Sequence, residues 1–348
     1  DYSDGKISGI VYYGCDDKYK DFLVKIFSNF AWTNPLHPDL FPRIRNMEID
    51  IIKMTKEMFN GDENVCGNVT YGGTESLLLA CKTYRDWGFY HKNISNPNIV
   101  VLESVHAAIQ KAGNYFGIKI KVVPIDPETG TATIKMIRSY IDMNTVCLIG
   151  STPSYAHGIM DPIEDMAKIA EYKGIGLHVD ACMGGFLIPF LKKEKKIVEN
   201  FDFSLKGVTS ISADTHKYGY SLKGSSVILY RNFYLKKHQH FSNLNWNGGI
   251  YATPTIMGSK SGALIAATWA AMLYHGYDKY IKNAIAIKEM NDYVYQATKD
   301  ISGIKIIGKP NINIIAYRSD GIDIYRIASI LKNKGWNLSI LQNPPSFH

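Results

Sequence analysis

The stretch "SISADTHKYGYSLKGSS", residues 210–226, decides how the rest of this chain is read. It sets Lys217 directly after His216, inside a run of small and hydroxyl-bearing residues. A surface lysine needs no such setting, and a buried one is costly unless it is paired or neutral. The segment "GVTSIS" (207–212) before it has the character of a strand, and "YGY" after it that of a turn. Lys217 is therefore expected to emerge at a strand end. A desolvated lysine there has a lowered pKa and can form a Schiff base with an aldehyde. His216 and Thr215 are the expected polar neighbours for a phosphate carried by that aldehyde compound. Taken singly, the same lysine also reads as a structural residue.

Working outward, short apolar runs alternate with helical patterns. "NIVVL" (98–102), "IKVVP" (120–124), "VCLIG" (146–150), "GLHVD" (176–180), "GVTSIS" and "SVILY" (226–230) read as strands. They lack polar alternation, as strands covered on both faces do. Helices are expected at "TESLLLACKTYRDWG" (74–88) and "DPIEDMAKIAEYKG" (161–174). The second has Asp161 as N-cap, Pro162 at its first position and Gly174 at its end. This alternation predicts an α/β fold built on a large, mostly parallel sheet. After Gly276 the pattern becomes a smaller α+β lobe: a helix over 278–300, strands "IKII" and "INIIAY", a helix near 322–334 and a strand "WNLSIL". The final "NPPSFH" offers no evident closing element. The expected divisions are 1–60, an N-terminal segment contributing to a dimer and the active-site entrance, 61–276, and 277–348.

Two further stretches carry groups that a core would not choose. "YGGTES" (71–76) puts two glycines and Thr74 before a helix whose first amides can receive an anion, although a plain glycine turn would look the same. "HVDAC" (178–182) puts Asp180 at the C-terminal end of an apolar strand, the edge where open α/β sheets bind ligands. A carboxylate buried there needs a cationic or hydrogen-bonding partner, which the protonated nitrogen of a pyridine ring supplies. His106, after "IVVLES", is placed to stack on such a ring or to do no more than flank a helix start. The chain order is phosphate cradle, acid for a ring nitrogen, then Schiff-base lysine. That order fits an enzyme of pyridoxal 5'-phosphate.

Composition narrows the alternatives. The net charge of +7 is scattered over the sequence, and its one dense run, "LKKEKK" (191–196), reads as a solvated face. No basic groove interleaved with aromatics points to nucleic acid. His178 with Asp180, and "HQH" (238–240), lack a third ligand at a useful spacing, so no metal is expected. The five cysteines, Cys15, Cys66, Cys81, Cys147 and Cys182, are odd in number and form no C-x-x-C, which favours a reducing compartment over a disulfide framework. No apolar run is long enough to span a bilayer.

With these residues in view, the chain resembles the sphingosine-1-phosphate lyases of the pyridoxal-phosphate group II decarboxylase superfamily. The resemblance runs end to end, through "TNPLHPDLFP" (33–42), "NVTYGGTESLLLACKTYRD" (68–86), "VHAAIQKAGNYFGIKI" (105–120), "STPSYAHGIMDPIEDMAKIA" (151–170) and "LHVDACMGGFLIPF" (177–190). It continues through the lysine segment, "NWNGGIYATPTIMGSKSG" (245–262) and "KGWNLSILQNPPSFH" (334–348). It implies a fold-type-I homodimer with shared active sites. By position, Lys217 would bond the cofactor, His106 stack on it and Asp180 pair with its nitrogen. His178, Gly73, Thr74 and His216 would lie near the cofactor, and Gly248, Gly249 and Thr253 would come from the partner subunit. Lys223 would bind the phosphate of a phosphorylated sphingoid base. The implied reaction is retro-aldol cleavage to a long-chain aldehyde and phosphoethanolamine.

The resemblance also implies a cytosolic catalytic domain, tethered to the endoplasmic reticulum in eukaryotic members by an N-terminal anchor that these residues do not contain. Tyr71 stands where relatives usually have serine, Ala156 where they have proline, and Lys260-Ser261 where they have Arg-Pro. Two other readings stand beside it. An amino-acid decarboxylase would share His37, Pro38, Asp180 and the His216–Lys217 pair, and a non-catalytic scaffold would be expected to lose the lysine or the acid.

Overall fold

Six apolar runs become strands of one sheet, and all but the edge strand Lys119–Val123 are buried on both faces. In the computed structural model, which describes residues 5–9, 12, 16–197, 199–310 and 312–348, these are β2 to β7; Cys15 lies outside the described residues. β1 (Cys66–Thr70) joins them at one edge. The others are β2 (Asn98–Leu102), β3 (Lys119–Val123), β4 (Thr145–Ser151), β5 (Gly176–Asp180), β6 (Ser210–Ala213) and β7 (Ser226–Tyr230). The order across the sheet is β1-β7-β6-β5-β4-β2-β3. From β6 to β3 all neighbours run parallel, and β7 is antiparallel to both β6 and β1. Successive residues of β2 feed opposite faces: Val100 and Leu102 join one apolar cluster, Ile99 and Val101 the other.

Helices cover both faces. α1 (Asp17–Phe30) and α2 (Pro42–Met58) precede the sheet, and α3 (Gly73–Lys92), α4 (Ala108–Phe116), α5 (Ile134–Ser139) and α6 (Ile163–Lys173) alternate with its strands. α7 (Ile188–Lys193) and α8 (Phe233–Lys236) are short. α6 ends at Gly174, whose φ of 60° is the left-handed cap that glycine adopts without strain. Its start differs from expectation. Pro162, not Asp161, is the cap residue, because the Asp161 carboxylate accepts the Ser151 amide at 2.7 Å instead. Burial, aided by the nearby Asp180, pushes the Asp161 carboxyl up to about 7.

A two-stranded hairpin, β8 (Phe241–Asn243) with β9 (Tyr251–Thr253), precedes α9 (Ala263–Thr298). α9 is broken at Gly276, where φ is 59° and ψ 179°. Beyond it a second sheet has the order β10-β11-β13-β12, with β10 (Lys305–Ile306), β11 (Tyr317–Arg318), β12 (Ile340–Leu341) and β13 (Ser346–Phe347). α10 (Ile324–Asn333) packs on β13. The last residues do close this lobe, since β13 lies between β11 and β12. "INIIAY" is not a strand for most of its length. Ile314 instead meets Gly158 so closely that a Cβ on the glycine would overlap the Ile314 carbonyl. No helix of the described residues is long and apolar enough to cross a membrane.

Candidate active site

Strand register assembles the site. Ser151 on β4 lies opposite Asp180 on β5, and Asp180 lies opposite Ser212 on β6. These are the C-terminal ends of three adjacent parallel strands, so the chain leaving each one enters the same crevice. A cavity of about 260 Å³ opens there. Its walls include Gly73 and Thr74 from the start of α3, His106, Asp180, His216 and Lys217. Two larger clefts, of about 680 and 640 Å³, lie elsewhere and contain none of these residues.

Lys217 departs from expectation in its charge. Its Nζ donates to Asp214 Oδ2 at 3.0 Å, and the Asp214 side chain is almost wholly buried. Burial alone would lower the lysine pKa. Asp214, with Cys182, Asp180 and Tyr12 around it, outweighs that and holds the ammonium well above the ordinary lysine range. The neutral amine expected from desolvation is therefore not the resting state of the free chain.

Asp180 is 7% exposed. Its Oδ1 accepts the Cys182 amide at 3.0 Å, the Cys182 thiol also interacts with the carboxylate, and the side chain lines the cavity. His106 is oriented by its backbone surroundings: Nδ1 accepts the Ala108 amide at 3.1 Å, so the ring carries its proton on Nε2 and is fixed against the start of α4. At the start of α3, the amides of Gly73 and Thr74 have no protein acceptor among the described residues. Gly72 there has a φ of 94°. A Cβ on Gly73 would stand 2.6 Å from Asp214 Oδ1 and 2.9 Å from Cys182 Sγ. Gly73→Ala is accordingly expected to push Asp214 off Lys217 and weaken cofactor affinity at least about tenfold, one to a few kcal/mol of overpacking being felt at the cradle. Titration of pyridoxal phosphate into the cofactor-free variant, followed by tryptophan fluorescence, measures this; unchanged affinity would mean that the cradle lies elsewhere.

Not every residue read from the sequence reaches the cavity. His178 is fully buried beneath it, with Nδ1 2.8 Å from Ser210 Oγ and Nε2 3.1 Å from Ser212 Oγ. Burial brings its pKa down to about 4, so it stays neutral. Thr215 is turned away, 2.6 Å from Ser225 Oγ. Lys223 lies outside the lining, with Nζ 3.5 Å from the His216 carbonyl oxygen and 4.5 Å from the centre of the Tyr12 ring. Gly248, Gly249 and Thr253 belong to the β8–β9 hairpin and its turn, and none lines this chain's cavity. Tyr71 does line it but leans outward, its hydroxyl donating to the Ser261 carbonyl while Lys260 Nζ stands 5.1 Å from its ring. Tyr71 and the Lys260-Ser261 pair are thus in contact.

Sequence reading overlooked Asp214, Tyr155 and Cys182 as wall residues. For Asp214 the signal was present: it follows β6 by one residue, just as Asp180 closes the adjacent β5. Tyr155 and Cys182 carry no comparable mark. Among the described residues, no group of three or more His, Cys, Asp or Glu side chains is gathered as metal ligands.

These residues fit pyridoxal 5'-phosphate at each end of the cavity. The amides of Gly73 and Thr74, which have no protein acceptor among the described residues, suit a phosphate, the Asp180 carboxylate in the wall suits a ring N–H, and Lys217 offers the amine.

Comparison with known proteins agrees with that fit. A family model described as pyridoxal-dependent decarboxylase conserved domain matches residues 12–320. Sphingosine-1-phosphate lyase 1 of Mus musculus is 46% identical over 348 residues, which are all of this chain and 61% of the mouse protein. The solved structure of Burkholderia pseudomallei sphingosine-1-phosphate lyase superposes with a TM-score of 0.94 at 38% identity, covering 99% of this chain and 80% of that one. Glutamate decarboxylase of Lactobacillus brevis, with a TM-score of 0.81 at 22% identity, shares the fold. The chain spans about three-fifths of the length of the curated relatives it matches.

Proposed function

We propose, from the premise that this chain belongs to the pyridoxal-dependent decarboxylase family, in its sphingosine-1-phosphate lyase branch, that it cleaves phosphorylated long-chain bases between C2 and C3. The products are a long-chain aldehyde and phosphoethanolamine, which together contain every atom of the substrate. The observation that carries the reading is that one cavity beyond the ends of β5 and β6 brings Asp180 and Lys217 together with the start of α3 at Gly73 and Thr74. When bound, pyridoxal phosphate supplies a ring that withdraws electrons from the bond being broken.

The protein's share is positioning and proton control. Gly73 and Thr74 amides would hold the phosphate end, and His106 would cover one face of the ring. The Asp180 carboxylate would accept the ring N–H and keep it protonated. Lys217 would supply the amine that bonds the cofactor. Lys223 lies beyond the cavity and is the proposed contact for the substrate phosphate. Lys223→Ala is expected to raise KM about tenfold, the loss of one charge-assisted contact, while leaving cofactor binding unchanged. Steady-state kinetics beside cofactor titration check this, and loss of the cofactor would remove Lys223 from that role.

The hairpin carries exposed Phe241, Leu244, Trp246 and Ile250, an apolar surface suited to a second copy of this chain. In that homodimer Gly248, Gly249 and Thr253 complete the partner's site. Residues 61–276 form the cofactor-binding unit and 277–348 a smaller lobe, divided at the Gly276 break in α9. Sphingosine 1-phosphate and glutamate, offered separately to cofactor-loaded protein, test the substrate class. Consumption of the phosphorylated base without carbon dioxide release is expected. Carbon dioxide from glutamate would identify an amino-acid decarboxylase instead.

A further inference from the structure

Asp214 is the one carboxylate whose oxygen lies within ion-pair distance of Lys217 among the described residues, at 3.0 Å, and it holds that contact inside the cavity wall. Its Oδ2 is also 3.7 Å from His216 Nε2. Its Oδ1 is buried with no hydrogen-bond partner, beside Gly73. A carboxylate desolvated to this degree depends chiefly on the ammonium opposite it. We propose that Asp214 is a positioning residue that stores Lys217 as an ammonium against the cavity wall, a charge that must be discharged before the amine can capture the cofactor. The inference rests on the cofactor reading above and concerns when Lys217 is competent, not whether the cofactor binds.

Capture needs the neutral amine. The ammonium first gives one proton to solvent; Nζ then bonds to the aldehyde carbon, the carbon–oxygen bond breaks, and the oxygen leaves as water with the two remaining amine hydrogens. The groups facing Lys217 are Asp214, Asp180, Cys182, Tyr12, Tyr218, His216 and Lys223. Of these, Asp214 alone is ion-paired with it. The same contact bears on turnover. For the substrate to displace Lys217, the substrate's ammonium must lose one proton. That proton passes to the released Nζ, which Asp214 receives again as an ammonium, so the released lysine serves as a proton donor and the base for the C3 hydroxyl is another group.

The test is the rate at which cofactor-free full-length protein captures pyridoxal phosphate, followed by stopped-flow absorbance as pH is raised. Wild-type capture is expected to climb about tenfold per pH unit through the neutral and mildly alkaline range, as one proton is lost. Asp214→Asn should shift that profile toward acid by at least about one unit, giving at least about tenfold faster capture at neutral pH. Asp214→Glu, which restores the charge, should recover the wild-type profile. An Asp214→Asn profile that coincides with wild type, or is slower at every pH, overturns the proposal. A second measurement is independent of the cofactor: the pH dependence of Lys217 acetylation in the cofactor-free wild type, read by peptide mass spectrometry. Lys217 is expected to react only at higher pH than exposed lysines such as Lys135. Reaction at lower pH would overturn the role of Asp214. If folded wild type captured no cofactor at any pH, the cofactor reading would fail while the acetylation profile still decided this one.

Discussion

Lys217→Ala is expected to abolish covalent attachment of the cofactor and to lower turnover at least about a thousandfold, the scale of losing a covalent nucleophile. Borohydride reduction followed by peptide mapping should find cofactor mass on the 217 peptide of wild type and none on the variant. Removing Lys217 also leaves the Asp214 carboxylate buried without its partner, so a loss of stability is expected as well. Lys217→Arg separates the two effects. Arginine keeps a positive charge beside Asp214, yet its guanidinium cannot be deprotonated to act as an amine. That variant should fold with near-normal stability and remain inactive. Activity in either variant would assign the cofactor's attachment to another residue.

Asp180→Ala is the second large effect. Asp180 lies at the end of β5 and is buried, with Oδ1 satisfied by the Cys182 amide and the side chain in the cavity wall. In the role proposed for Asp180, the alanine would leave the ring N–H of the cofactor without its acceptor, and the ring would lose its proton and its electron-withdrawing power. Breaking one side of a buried charge pair costs about 3–5 kcal/mol. Felt in the transition state alone, that is a reduction in kcat of about 150- to 5,000-fold. Asp180→Asn, which can accept a hydrogen bond but carries no charge, should be nearly as slow. Kinetics on both variants at saturating cofactor check this. Near-normal kcat in Asp180→Ala would contradict the role.

The strands that build the site were legible because they are apolar without alternation, the mark of a sheet covered on both faces. Lys217, Asp180, His106, Gly73 and Thr74 were legible for a related reason: polar or flexible residues at the ends of such strands have no packing role. His178 shows the limit of that logic. It points to the same side of β5 as Asp180, by the two-residue period, but lies about 6.6 Å farther back along the strand. There it meets the hydroxyls of Ser210 and Ser212 rather than the crevice. The charge of Lys217 was misread because desolvation is visible in a sequence pattern, whereas a carboxylate within 3.0 Å is a fact of folding. Asp161 failed as a helix cap for the same reason, since its carboxylate is drawn back to the Ser151 amide. Contact between Tyr71 and the Lys260-Ser261 pair joins positions nearly two hundred residues apart in the chain, beyond any local signal. The small lobe was read least well. Its strands are two residues long, too short for a period to appear.

The most direct measurement is mass spectrometry of the products formed when the protein, loaded with pyridoxal phosphate, is incubated with sphingosine 1-phosphate. Long-chain aldehyde and phosphoethanolamine in equal amounts, absent with Lys217→Ala, is the predicted result. Intact substrate from protein that has captured its cofactor would contradict the assignment of this site to carbon–carbon cleavage of phosphorylated long-chain bases.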